Sequence, residues 1–270
     1  METITKKKQK KTFALHYRQT GSGPDVVGIS GFACGHWLLH PLAATLERHF
    51  TVWLPDNRGM GRSPKGDGDF SIDDMARDVI EIIKKAIGRP VKIMGVSMGG
   101  FIVQALLSIA PEWVTQAAIL CSTSAGPRFR PLFSFWGPTQ MQRVLAMDRV
   151  AYARWILDPP VSPCLAAYPE AMAFMLRHRL DHPEDLQQVM GQYYAMARFF
   201  QTEVDLSRID IPVWVGCGQD DPVFPPANSQ LLAQSLPRGE LVIFPDTDHL
   251  FFVERPEDVG QALVEFFHRP

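Results

Sequence analysis

The residues best suited to catalysis in this sequence form the pentapeptide Gly95-Val96-Ser97-Met98-Gly99. It lies between a strand-like run at 91–94 and a helix-like run that begins at Phe101. A serine between glycines at such a junction is typical of a nucleophile elbow, a tight turn that presents the serine hydroxyl. The glycines let neighbouring backbone pass close to the turn, and the N-terminus of the following helix favours negative charge at that point. The pattern predicts that Ser97 is a nucleophile.

Two later loops hold the groups that would activate this serine. A serine hydroxyl is a poor nucleophile at neutral pH and needs a base that a third group orients. His249 follows the last predicted strand, at the edge where parallel sheets collect catalytic groups. The equivalent loop one unit earlier holds Asp220 and Asp221. An elbow-type hydrolase orders its triad along the chain as serine, acid and histidine. We therefore predict Ser97, Asp221 and His249 as the catalytic residues, with Asp220 as the rival acid.

The hydrophobic pattern that must position these residues alternates strands with helices. Such alternation predicts a mainly parallel sheet covered by helices on both faces. Strands are predicted at 13–19, 26–29, 51–54, 91–95, 116–121, 213–216 and 241–244. Helices are predicted at 37–49, 73–87, 99–109, 228–236 and 256–267.

The alternation stops between residues 126 and 205, where helical runs are punctuated by prolines. This block is rich in aromatic residues and methionine, and it contains arginines but no lysine. Flexible methionines and large aromatics suit a lid over an apolar pocket, while plain structural packing is the alternative for each residue. We expect a core of residues 1–125 and 206–270 and a helical cap of residues 126–205. Candidate pocket residues, each equally suited to core packing, are Trp37, Phe129, Trp136 and Trp155.

The composition excludes several classes of partner. The chain has 270 residues, 46% of them hydrophobic, and a net charge of −2, which gives no reason to expect nucleic acid or an acidic membrane surface. It has no apolar run of the length that spans a bilayer. The lysines between Met1 and Lys11 are followed by no apolar stretch, so we expect a solvated basic head and no secretory signal.

The cysteines and the remaining histidines give no metal motif in the sequence. Cys34, Cys121, Cys164 and Cys217 are widely spaced, which is typical of reduced thiols in a cytoplasmic protein. The pair at 178 and 182 has a spacing found in metal sites, but it lacks a glutamate motif and a proline follows it directly. No metal and no cofactor are therefore predicted.

Together these stretches resemble the α/β-hydrolase family, in its lidded serine esterase and lactonase branch, over residues 12–268. The branch includes enol-lactonases and carboxylesterase-like members. The stretches that carry the resemblance are Ser30-Gly31-Phe32 with Trp37, Asp56-Asn57-Arg58-Gly59-Met60-Gly61-Arg62-Ser63, Gly95 to Gly100, Gly218 to Pro225, and Asp248-His249 with Glu254-Arg255-Pro256-Glu257.

The resemblance implies an eight-stranded, mostly parallel sheet with a helical cap inserted after the sixth strand. It also implies an oxyanion hole formed by the backbone N–H groups of Phe32 and Met98. The chain departs from the family at two positions: Ser30 stands where a histidine is usual, and Asp248 where a glycine is usual. Since the elbow residue is serine rather than aspartate, dehalogenation and epoxide opening are excluded.

These features predict a serine hydrolase that cleaves a small-molecule ester or lactone with a mainly apolar acyl group, through an acyl-enzyme. One alternative is an esterase or thioesterase acting on acyl groups bound to an acidic carrier protein. The early insertion favours it weakly, because the only acid among the arginines of residues 126–155 is Asp148. An alternative of another class is a non-catalytic ligand receptor that keeps the triad.

Overall fold

The centre of the molecule is a sheet of seven strands within the residues described by a computed structural model, which are 14–66, 68–155 and 164–270. The side chains at 145, 149 and 155 and the lysine-rich start lie outside this description. The strand order is β1-β3-β2-β4-β5-β6-β7. The strands are β1 Tyr17–Gly21, β2 Asp25–Ile29, β3 Thr51–Pro55, β4 Val91–Val96, β5 Val114–Leu120, β6 Val213–Gly218 and β7 Gly239–Phe244.

The pairing confirms the mainly parallel sheet that the sequence predicts. Only β1 runs antiparallel, against β3, and every other pair in the described sheet is parallel. The expectation of eight strands is wrong for the described residues. Each strand corresponds to one apolar segment of the sequence, and the described chain offers no eighth segment, because the described residues between β5 and β6 form helices and turns.

The helices cover both faces of this sheet. They are α1 His40–Leu46, α2 Ile72–Ile82, α3 Met98–Ile109, α8 Pro226–Ser235, α9 Phe251–Glu254 and α10 Pro256–His268, and α4–α7 are given below. On one face α2 packs against α3, and on the other α1 packs against α10. Local sequence sets these boundaries. Ser71 and Asp74 form a reciprocal capping box at the start of α2, and Gly88, at φ 76°, ends the π-helical turn that follows it.

The parallel register brings the ends of the central strands to one edge. Ile29 of β2 lies opposite Gly95 of β4, and Val96 of β4 lies opposite Leu120 of β5. Central strands of this kind are buried on both faces, and all five residues of β2 are indeed buried. The loops after β2, β4, β6 and β7 therefore emerge close together.

The described part of the segment between β5 and β6, here called the helical segment, contains helices and no strand, as the loss of the strand pattern predicts. Its helices are α4 Pro138–Leu145, α5 Arg149–Trp155, α6 Pro169–Asp181 and α7 Leu186–Phe199. In this sheet the segment follows the fifth strand, not the sixth. Helix α7 lies against the core: a Cβ added to Gly191 would lie 2.7 Å from the ring of Phe70. The rings of Phe199 and Phe101 stack 5.0 Å apart.

Among the helices of the described residues, none combines the length and the apolar character needed to cross a membrane.

Candidate active site

Ser97 occupies a strained turn between β4 and α3. Its backbone has φ 54° and ψ −115°, a region that side-chain-bearing residues rarely adopt and that costs about 1–3 kcal/mol. A Cβ added at Gly95 would lie 2.3 Å from the carbonyl oxygen of Gly99, and one added at Gly99 would lie 2.3 Å from that of Ile29. Both glycines are therefore required by close backbone approach, as the elbow motif predicts.

Hydrogen bonds join the three residues that the sequence selects as a triad. The carboxylate of Asp221 only accepts, so Nδ1–H of His249 donates to Oδ2 of Asp221 over 2.8 Å. This leaves the lone pair of Nε2 facing the Oγ of Ser97 at 3.1 Å. The other oxygen of Asp221 accepts the N–H groups of Val223 and Phe224 at 2.8 and 3.0 Å, which fixes the buried carboxylate. The arrangement suits transfer of a proton from Ser97 to His249.

The rival acid points elsewhere. Asp220 is exposed, and its carboxylate contacts the Sγ of Cys164 at 3.9 Å. Within the described structure, the carboxylate that His249 Nδ1 contacts is that of Asp221 and not that of Asp220.

The pKa of His249 is raised by its acidic neighbours. Burial lowers the pKa, because it disfavours the imidazolium, but the charge and hydrogen bond of Asp221 and the charge of Asp248 more than offset burial. Asp248 is fully buried and accepts the N–H groups of Leu250 and Cys164, each at 2.9 Å. Nearby, burial and Asp248 raise the pKa of Glu254 to about 8. The unusual aspartate thus contributes to the electrostatics of the base.

The loop after β2 carries Phe32 beside the elbow. A Cβ added to Gly31 would lie 3.4 Å from the Cβ of Ser97, so the loop passes directly over the serine. The buried hydroxyl of Ser30 donates to the carbonyl of Gly35 over 2.9 Å and ties the two ends of the loop together. This bond gives Ser30, which stands where the family usually has a histidine, a role in packing the loop. Among the described residues, neither Phe32 N–H nor Met98 N–H donates to a protein acceptor.

The same loop is held from the opposite side by the helical segment. Ala33 has φ 53°, in the left-handed region. Its N–H donates to Oε1 of Gln192 over 2.9 Å, and its carbonyl accepts Nη1 of Arg179 at 3.3 Å. Arg179 lies on α6 and Gln192 on α7, and both are buried. The sequence analysis did not select Arg179 or Gln192. The only signal that the sequence offers for each is a polar residue within a mostly apolar helical face.

A cavity of about 290 Å³ lies over Ser97 and His249. Most of its lining is apolar. The core contributes Leu38, Val96, Pro222, Val223, Phe224, Leu250 and Phe252, and the helical segment contributes Phe133, Phe135, Trp136, Met175, Tyr193, Met196 and Phe200.

The aromatic residues named as pocket candidates divide between the cavity and the core. Trp136 lines the cavity. Phe129 does not, because it is buried in the core cluster that contains α3. Trp37 does not either, since its ring stacks on His178 at 5.3 Å, away from the serine. The side chain of Trp155 lies outside the described part of the chain.

Comparison with known proteins identifies the protein family to which the chain belongs. The model of the alpha/beta hydrolase fold family matches residues 24–256, so the chain belongs to this family. The resemblance that the motifs carry is therefore confirmed.

Individual relatives cover almost the whole chain. It is 29% identical to a Mycobacterium tuberculosis protein named non-heme bromoperoxidase BpoC, over 94% of this chain and 97% of that protein. It is 26% identical to a pimeloyl-[acyl-carrier protein] methyl ester esterase of Nitrosomonas europaea, over 90% and 96%. Among solved structures, an N-acyl homoserine lactone degrading enzyme superimposes with a TM-score of 0.77 at 25% identity, over 94% and 97%.

Proposed function

We propose that the protein is a serine hydrolase that cleaves a carboxylic ester or lactone of a small, mainly apolar acyl substrate through an acyl-enzyme. The observation that carries this proposal is the hydrogen-bonded series Ser97, His249 and Asp221 at the floor of an apolar cavity. The relatives whose names include an ester-cleaving and a lactone-degrading enzyme support the bond type.

Acylation follows from the geometry of the series. As Oγ of Ser97 attacks the substrate carbonyl, Nε2 of His249 takes the hydroxyl proton across the 3.1 Å contact. Asp221 stabilises the imidazolium that forms and holds the ring in the productive tautomer. The carbonyl oxygen becomes negative and accepts hydrogen bonds from the N–H groups of Phe32 and Met98. When this intermediate collapses, the C–O bond breaks and His249 returns the proton to the departing oxygen.

Deacylation repeats these steps with water. Nε2 of His249 takes a proton from the water that attacks the acyl carbon. The same N–H groups hold the new oxyanion, and Ser97 leaves with the proton as the acid is released. Every step uses side chains and backbone of this chain, and the proposed reaction needs no cofactor.

Residues 126–205 are proposed to form a cap over a core of residues 1–125 and 206–270. Its aromatic and methionine side chains that line the cavity would then form its roof. A roof of this kind excludes water from the acyl group and strengthens the electrostatic contacts below it. At about 290 Å³ the cavity is at the small end of ligand pockets, so short to medium acyl groups are preferred over long ones.

The test combines covalent labelling with a substrate series. A fluorophosphonate probe should label the wild-type protein and fail to label Ser97→Ala, whose melting temperature should be unchanged or nearly so. Hydrolysis of p-nitrophenyl esters should rise with acyl length and then fall once the cavity is filled. Each added methylene should change kcat/KM by no more than about 10–200-fold. Labelling that persists in Ser97→Ala would refute the proposed nucleophile.

A second candidate is an esterase or thioesterase that acts on acyl groups bound to a carrier protein. The name of the Nitrosomonas relative states that it acts on such a substrate. The helical segment also exposes four arginines, Arg128, Arg130, Arg143 and Arg154. Activity on an acyl-carrier substrate should then exceed activity on free esters and fall with added salt. If the activity on small esters does not change with salt concentration, the carrier-protein candidate is excluded. The remaining class, a ligand receptor without turnover, requires that no ester, lactone or thioester is hydrolysed.

The four cysteines are unpaired, which supports a reducing compartment such as the cytoplasm.

A further inference from the structure

A second group of chemically capable side chains lies at the start of the sheet, away from Ser97. His16 directly precedes β1, Asp56 directly follows β3, and His36 begins the turn after the loop that carries Phe32. The antiparallel pairing of β1 with β3 brings the first two together, and the N–H of Asp56 donates to the carbonyl of His16 over 2.9 Å. These residues are twenty or more positions apart in the chain, so no sequence spacing indicates them.

Both imidazoles direct the same nitrogen at one carboxylate. Nδ1 of His16 lies 3.0 Å from Oδ2 of Asp56, and Nδ1 of His36 lies 2.8 Å from Oδ1. The three ligand-type groups lie within 4.8 Å of one another. Two donors bound tetrahedrally to zinc, each at about 2.1 Å, lie about 3.4 Å apart. The observed contacts are somewhat shorter, so each ring would have to move by about half an ångström to admit an ion.

The carboxylate is fixed in place by backbone groups. Asp56 is fully buried, and its oxygens accept the N–H of His36 at 2.7 Å and the N–H of Arg62 at 3.0 Å. The imidazoles are partly exposed, with side-chain exposures of 29% for His16 and 21% for His36. An ion would therefore approach between the two accessible rings, which must part slightly to expose the rigid carboxylate.

The cluster opens into a cleft of about 580 Å³, which gives an ion room for water ligands. His40, His178 and His182 also line this cleft, and the rings of His36 and His40 lie 5.1 Å apart. Within the described structure, Nδ1 of His178 and Oε1 of Glu184 are buried without a hydrogen-bond partner. Imidazole nitrogens and carboxylate oxygens together are the donor set of zinc, nickel and copper ions. The positive charges that line the cleft are those of Arg18 and Arg62.

We propose that His16, His36 and Asp56 form a binding site for a divalent first-row transition-metal ion of the zinc type, whose remaining ligands are water in the cleft. Each Nδ1 would offer its lone pair to the ion, and the proton of each ring would then be on Nε2. The ion would join the start of β1, the end of β3 and the residue that ends the Phe32 loop. Since it binds the folded state alone, it would raise the melting temperature.

Isothermal titration of full-length protein, treated with EDTA and dialysed, tests the site with ZnCl2 and with NiCl2. Binding should saturate at one ion per chain, and MgCl2 should give none. His16→Gln and His36→Gln should each weaken binding by at least about 10-fold. The matched controls are His49→Gln and His268→Gln, because these exposed rings form a pair of similar separation, 5.7 Å, elsewhere on the molecule. They should bind zinc as the wild type does.

A measurement on the wild type covers the case in which a variant does not fold. Paramagnetic Co²⁺ should shift the imidazole proton resonances of His16 and His36 and leave those of His49 and His268 in place. Saturating ZnCl2 should raise the melting temperature by about 5 °C. The proposal is overturned if no saturable binding occurs. It is equally overturned if both folded glutamine variants bind as the wild type does, or if Co²⁺ shifts only other histidines.

Discussion

Replacing Gln192 with leucine should lower turnover without a matching effect on substrate binding. The Gln192 carboxamide on α7 accepts the N–H of Ala33, which holds that residue at φ 53°. Leucine has similar bulk and no acceptor, so it leaves a buried N–H unpaired at a cost of about 1–3 kcal/mol. The left-handed conformation itself costs about 1–2 kcal/mol for a residue with a side chain. Together these costs favour rotation of Ala33 out of that conformation.

Such a rotation would move the neighbouring N–H of Phe32, the proposed oxyanion donor. Loss of one donor from an oxyanion hole lowers kcat by about 10²–10³-fold. We therefore expect Gln192→Leu to lower kcat by roughly 10²-fold while KM changes little. The assay is steady-state hydrolysis of a short p-nitrophenyl ester, with urea unfolding measured on the same preparation.

Gln188→Leu is the matched control. Gln188 is one turn earlier on α7 and equally buried, and its Oε1 accepts a backbone N–H, that of Gly66, over 3.1 Å. Both variants should lose similar stability, of about 1–3 kcal/mol, but only Gln192→Leu should lose turnover. If kcat falls equally in both variants, the loss reflects general destabilisation and the positioning role of Gln192 is refuted.

Asp221→Asn should lower kcat by about 10⁴-fold because it favours the wrong histidine tautomer, and Asp220→Asn should cost far less; the reverse ranking would transfer the role. Since the raised pKa of His249 must be exceeded for the ring to act as a base, kcat/KM should rise with pH through that pKa. Asp248→Asn removes a charge that raises this pKa, so the rise should move to lower pH; a profile that stays in place would contradict this. Phe200→Ala should enlarge the cavity and move the optimum to longer acyl chains; an unchanged optimum would remove this ring from the specificity argument.

The sequence predicts the elbow because its residue types and spacing form a contiguous motif. Gly95 meets the backbone of Gly99 within the motif itself, whereas the close approach at Gly99 is to Ile29 on the neighbouring strand β2. Only the three-dimensional structure distinguishes Asp220 from Asp221 as the triad acid, because two adjacent carboxylates differ only in their burial and in the direction that the loop gives them. Chain order and loop position indicate this loop without separating the two residues, and the geometry brings the predicted residue, Asp221, to His249.

The composition of the helical segment indicated an apolar lining but could not assign individual rings. Trp136 lines the cavity, whereas Phe129 packs into the core, and both are aromatic residues early in the same segment. The contacts of Gln192 and Arg179 with Ala33 join residues about 150 positions apart, which no periodicity encodes. The expectation of an eighth strand rested on the family resemblance alone, because the hydrophobic pattern of the sequence contains only seven strand-like segments.

The stacked rings that join α7 to α3 should also determine how the protein unfolds. Phe199 stacks on Phe101 of α3, and Phe224 packs against Phe101 at 5.8 Å and against His249 at the same distance. Helix α7 cannot leave without exposing core rings, so it and α3 should belong to one cooperative unit. Native-state hydrogen exchange should then give the amides of both helices similar opening free energies. The loops that hold the catalytic residues would consequently persist until the whole core is lost.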